Sequence, residues 1–71
     1  MEFKLITDFS DIKPKDVVRN PSERRLYEIV DVDETFHRVL LRFYVTDHEA
    51  DADRKIMVHQ EALLNRWQKM V

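Results

Sequence analysis

Two segments of the chain, Leu26–Val32 and Val39–Val45, alternate apolar and polar positions and are rich in β-branched and aromatic residues. Between them lies the polar stretch Asp33-Glu34-Thr35, so the pattern predicts a long antiparallel hairpin. Placing Glu28 opposite Arg42 aligns Tyr27 with Phe43 and Ile29 with Leu41 on one face and leaves the opposite-charge pair on the other. A slip of one residue would exchange the faces, so this register is the central structural expectation. On the outward face of the second strand, Arg38, Leu40, Arg42 and Tyr44 fall on alternate positions and point the same way. Leu26, Val30 and Val32 are assigned to that face too, which then reads as a surface awaiting another element or a second subunit.

The remaining elements are shorter. Glu2–Ile6 sets Phe3 and Leu5 against Glu2 and Lys4, as a short strand does. Thr7 and Asp8 offer capping oxygens to one helical turn, Phe9 to Ile12, which Pro14 stops. Asp16–Arg19 reads as a strand ending at Asn20-Pro21-Ser22-Glu23, whose Asn and Pro suit a type I turn. After a polar stretch from Thr46 to Arg54, Lys55–His59 is the last expected strand. Gln60–Met70 places Leu63, Leu64, Trp67 and Met70 at helical spacing, predicting a terminal helix whose apolar stripe docks on the sheet, since so short a helix is marginal alone. The expected fold is therefore mostly β within the α+β class, one domain over 1–71. It is a small antiparallel barrel or curled sheet with a C-terminal helix and a short N-terminal helical turn.

This order of elements, with Asp16-Val17-Val18 on an early strand, a long bent hairpin, a last strand and a terminal helix, resembles small SH3-like barrels of the Tudor and KOW type. The resemblance covers about residues 13–60 and rests on architecture. Lys15 stands before Asp16 where those families commonly carry Gly, and no functional residue is carried over from them.

Size and composition narrow the functions. With 71 residues there is one core, and a domain this small buries only roughly 60% of its unfolded surface. The chain has no Gly, which rules out the glycine-rich phosphate loops of P-loop and Rossmann enzymes and leaves turns to Asn, Asp and Pro. It has no Cys, so disulfides and thiolate zinc sites are excluded and a reducing compartment, the cytoplasm, is the expected location. No stretch approaches the about 20 apolar residues of a membrane span. Twelve Lys and Arg against 14 Asp and Glu give a formal net charge of −2, which excludes a globally basic nucleic-acid surface but leaves room for a local patch.

Four groups of residues have candidate chemistry. The stripe Arg38, Arg42 and Tyr44 could meet a phosphate backbone and stack a base, with Arg24 and Arg25 extending the basic edge. The simpler reading pairs Arg42 with Glu28 and leaves the stripe to packing. Asp47 to Asp53 is the densest acidic run, but Ala52 and Val58 occupy the EF-hand positions that need Gly and a bidentate Glu, so a solvated loop is expected. His37, His48 and His59 come from three segments without zinc-ligand spacing, and no metal or cofactor is expected. Asp31 and Asp33 share a strand face without an evident catalytic partner, and neither Ser10 nor Ser22 lies in a nucleophile-elbow sequence.

Trp67, the only Trp, is expected to anchor the terminal helix, with a second role at a protein interface or homodimer seam. The expectation is a small non-catalytic binding or regulatory module that recognises a protein partner or a second copy. Its expected contact residues are Arg38, Leu40, Arg42, Tyr44 and Trp67. Acidic single-domain chains of this kind are frequent among bacterial and bacteriophage accessory proteins. The alternative is a nucleic-acid-binding small barrel using Arg24, Arg25, Arg38, Arg42 and Tyr44.

Overall fold

The computed structural model describes residues 2–44 and 54–71. The acidic run 47–53, His48 and the end of the expected second hairpin strand at Val45 lie outside the described residues.

The described residues form six strands: β1 (Phe3–Leu5), β2 (Val17–Arg19), β3 (Leu26–Asp33), β4 (Arg38–Phe43), β5 (Lys55–His59) and β6 (Gln68–Met70). They form one antiparallel sheet in the order β1-β6-β2-β3-β4-β5. The hairpin β3–β4 has the register expected from charge and aromatic pairing, with Tyr27 opposite Phe43, Glu28 opposite Arg42 and Ile29 opposite Leu41. Its turn is built by Asp33, whose Oδ1 accepts the Thr35 and Phe36 amides, and by His37 in the left-handed region at φ 52°.

One residue departs from regular alternation. Between Ile29 and Asp31 the register shifts, leaving Val30 as the extra residue of a β-bulge and pairing Asp31 with Leu40, Val32 with Val39 and Asp33 with Arg38. The bulge reverses the parity of β3. Val32 consequently packs against the core beside Val39 and does not join Leu40 on the outer face, which corrects the sequence expectation for that residue. Had β3 run regularly, Asp31 and Asp33 would have pointed inwards.

The terminal helix is also corrected. Only one turn is helical, α1 (Gln60–Leu63); Leu64 is extended at φ −67°, ψ 137°, Asn65 is left-handed at φ 62°, and the chain returns as β6 between β1 and β2. Strand pairing on both sides satisfies backbone groups that an isolated, marginal helix would leave largely to water. The apolar spacing is met either way, because Leu63 ends in the core from the helical turn and Trp67 from the start of the strand.

The expected N-terminal turn is a 3₁₀ turn at Phe9–Asp11, with Asp8 accepting the Ser10 amide as its cap. The turn at Asn20–Glu23 closes with the Glu23 amide on the Asn20 carbonyl at 2.8 Å. Ile6, Val18, Ile29, Val39, Leu41 and Leu63 are at most 1% exposed, so β2, β3, β4, the helical turn and the segment after β1 contribute to one core. Tyr27 bridges that core to its aromatic end, stacked on Phe43 at 5.3 Å and tilted against Trp67 at 5.5 Å. Lys69 reaches from β6 to the Asp11 carbonyl, tying the 3₁₀ turn to the sheet.

With no Gly available, Lys15, His37 and Asn65 carry the positive φ angles. Lys15, at φ 79°, is the least suited of the three, since its Cβ makes the left-handed conformation costly where Asn tolerates it. Its amide must stay, because it donates to the Ile29 carbonyl at 2.8 Å. Replacing Lys15 by Gly keeps that bond and removes the strain, at the cost of a more flexible unfolded chain. The expected outcome is a gain of about 0.5–1 kcal/mol, read as a higher denaturation midpoint with an unchanged slope.

Candidate functional site

The outer face of β3, β4 and β5 is the surface on which the sequence-derived residues meet. Cross-strand pairing arranges it in three rows: Glu28, Arg42 and Lys55; Asp31, Leu40 and Met57; Asp33, Arg38 and His59. Each strand contributes one column, because side chains two residues apart share a face. The β3 column is acidic, the β4 column carries two arginines around a leucine, and the β5 column places Met57 between Lys55 and His59.

The arginines are not free. Arg42 donates from Nε to Glu28 Oε1 at 2.7 Å and also approaches it through Nη2. Arg38 donates from Nε to Asp33 Oδ2 at 3.1 Å, and its guanidinium lies 4.9 Å from the centre of the Phe36 ring. The β3 acids thus neutralise the β4 cations across the strand gap. At the centre of the face Leu40 is half-buried, Met57 is 49% exposed, and the two are direct cross-strand neighbours. A shallow cleft of about 120 Å3 there is lined by Asp31, Asp33, Arg38, Leu40 and Met57.

The other expected contact residues lie outside these three rows. Tyr44 follows the end of β4 and is 46% exposed, with its amide on the Leu26 carbonyl at 3.0 Å. Arg25 lies with its guanidinium 4.9 Å from the Phe43 ring centre, and Arg24 is exposed in the turn before β3. Trp67 is 8% exposed and belongs to the core, where it anchors the start of β6.

His37 sits in the β3–β4 turn, its ring edge-on to Phe9 at 5.6 Å, and His59 immediately precedes α1. His37 opens on a cleft of about 460 Å3 shared with Asp8, Ser10, Glu34 and Gln60. The Ser10 hydroxyl there donates to Asp8 at 3.0 Å, so it is engaged by a carboxylate and not by an imidazole. Among the described residues, no three His, Asp or Glu side chains are grouped to hold a metal ion. No helix among the described residues is long and apolar enough to cross a membrane.

Comparison with protein families, with curated proteins and with solved structures finds no match for this chain. Its surface chemistry has to be read directly.

What sequence reasoning missed is the role of β5. Met57 and His59 belong to a strand that was expected, but only cross-strand pairing shows that they extend the Leu40 face. A signal was present in the alternation of Lys55, Met57 and His59 against Ile56 and Val58, which marks a strand with one apolar and one mixed face.

Two carboxylates have lowered pKa values. Asp8 is held down by the Ser10 amide and then by the Ser10 hydroxyl. Asp33 is held down first by the Phe36 amide, with Arg38 and the Thr35 amide adding to it against a desolvation effect in the opposite direction. Tyr27 is raised, chiefly by burial and then by its hydrogen bond to Glu23.

The Asp33 shift fixes a sign. A carboxylate with a depressed folded pKa contributes stability above its unfolded value, here 3.8, and loses it as pH falls through the lower folded value. The stability gap between the native chain and Asp33→Asn should therefore be constant at neutral pH and close below pH 3.8, as measured by urea unfolding across a pH series. For Arg42 and Glu28, a double-mutant cycle with alanine should return a coupling of under about 1 kcal/mol, since this pair is solvent-screened.

Proposed function

We propose that this protein is a small non-catalytic recognition module whose partner is a protein, bound through the Leu40 and Met57 centre of the outer sheet face. The observation that carries the reading is the charge balance of that face. Its arginines are already matched by Glu28 and Asp33, and the row between them sets the apolar Leu40 and Met57 beside the exposed Asp31. An apolar centre with a polar rim is the ordinary anatomy of a protein interface. A phosphate backbone, by contrast, is drawn by unmatched cations, and Arg38 and Arg42 would each have to leave a carboxylate to meet it.

The single antiparallel sheet, with a β-bulge in its central hairpin, suits the SH3-like small-barrel resemblance, and such domains offer binding faces more readily than enclosed reaction sites. In a chain of 71 residues the clefts are open and shallow, which fits recognition better than catalysis.

The test is affinity purification of the full chain from its native cell, with and without nuclease, alongside Leu40→Asp. A protein partner that survives nuclease and is lost with Leu40→Asp is the expected result. Recovery only of nucleic acid, weakening by about one log unit per log of salt for each phosphate contacted, would replace this reading with the nucleic-acid one.

A further inference from the structure

The rows of the outer face stop at a strand edge: among the described residues, β5 pairs with β4 alone. The Gln60 amide donates to the His37 carbonyl at 2.8 Å, which makes these two a hydrogen-bonded pair in the register of β4 and β5. Alternation along an antiparallel ladder then makes Val58 with Val39, and Ile56 with Leu41, the next hydrogen-bonded pairs. The amides and carbonyls of Lys55, Met57 and His59 therefore point away from β4, towards the open edge.

Beside that edge lies a cleft of about 500 Å3. Val58 and Trp67, both core residues with 8% of their surface exposed, contribute its apolar part, while Asn20, Ser22 and Ala62 complete its sides. His59 and Arg66 are its ionisable lining groups; Glu61, in the first turn of α1, does not line it.

Charge supplies the identity of the occupant. From β3 to β4 the columns alternate from acid to cation, and those charges satisfy one another. Lys55 and His59 come next, at the edge, and neither they nor Arg66 makes an ion pair among the described residues. A strand beyond β5 continues the pattern if it sets carboxylates opposite Lys55 and His59 and an apolar side chain opposite Met57.

We propose that the edge of β5 facing away from β4 binds an extended acidic segment of a partner protein by strand addition. This rests on the protein-recognition reading above and names the mode of binding and the chemistry of the partner. A second copy of this chain fits worse, because two-fold pairing of β5 with itself sets Lys55 of one copy beside His59 of the other. Single-stranded nucleic acid also fits worse: the edge presents both amides and carbonyls, and a phosphate backbone offers no donors to the carbonyls.

The experiment uses the full chain and a fluorescein-labelled peptide built around Glu-Thr-Val-Thr-Glu, whose first, third and fifth side chains share a face and can meet Lys55, Met57 and His59, followed by anisotropy and by the emission of Trp67, the only Trp. The peptide is expected to bind and to perturb Trp67, about tenfold more weakly with Lys55→Glu or Arg66→Glu. It should fail to bind Met57→Pro, in which the lost amide is one that β4 does not use. If circular dichroism shows that Met57→Pro does not fold, a peptide N-methylated at every second amide carries the same test and should not bind. Equal binding of the same peptide with lysine in place of each glutamate, or of the N-methylated peptide, overturns the proposal, as does preferential binding of oligothymidylate or self-association through β5. Absence of peptide binding while a partner still co-purifies and is still lost with Leu40→Asp overturns strand addition alone. Loss of that partner interaction as well removes the broader reading.

Discussion

The backbone ladder of the β3–β4 hairpin, and the single extra residue within it, governs this structure. Before the bulge, Tyr27 and Ile29 face inwards; after it, Val32 does, because Val30 has taken up one step of the alternation. The three carboxylates of β3 are thereby placed together on the outer face, where water and two arginines can receive them. An unbulged strand would have directed Asp31 and Asp33 at the core, and an unpaired buried carboxylate is among the costliest defects a small domain can carry. The bulge is thus what lets a sequence with acids at 28, 31 and 33 form a strand at all.

From that constraint the outer face follows. The β3 acids set the charge environment of β4, the β4 arginines are drawn to them, and the unmatched positive character moves outwards to β5. Among the described residues, Leu40 and Met57 remain in the middle as an apolar pair beside the exposed Asp31. Meanwhile the inner face has only to be apolar, and its side chains from β2, β3, β4 and β5 meet Ile6, Leu63 and Trp67 from the two ends of the chain. A core of this size has little stability to spare. That is consistent with the number of polar ties at its margins: Asp8 on the 3₁₀ turn, Asn20 on the Ser22 amide, Glu23 on the Tyr27 hydroxyl and Lys69 on the Asp11 carbonyl.

Much of this was legible in the chain. Glu28 opposite Arg42 and Tyr27 opposite Phe43 were readable because charge and aromatic pairing across a hairpin admit few registers. Lys55–His59 was readable from its alternation, and Asp8 and Asn20 from the chemistry of caps and turns. Two features resisted. The bulge is invisible because Ile29-Val30 looks like two ordinary strand residues, and nothing local says which will be skipped. The C-terminal strand was hidden because Leu63, Leu64, Trp67 and Met70 satisfy a helical period as well as a turn followed by a strand.

By itself, then, the sequence determined the mostly β character, the central hairpin and its pairing, and the positions able to enter a core. Those depend on interactions among neighbours in sequence or across one turn. The tertiary structure alone decided that residues 68–70 insert between β1 and β2, that Val30 bulges, and that β5, among the described residues, pairs on one side only, beside Trp67. Each of these is a competition for backbone hydrogen bonds between segments far apart in the chain, and such a competition is resolved only when the whole sheet is assembled.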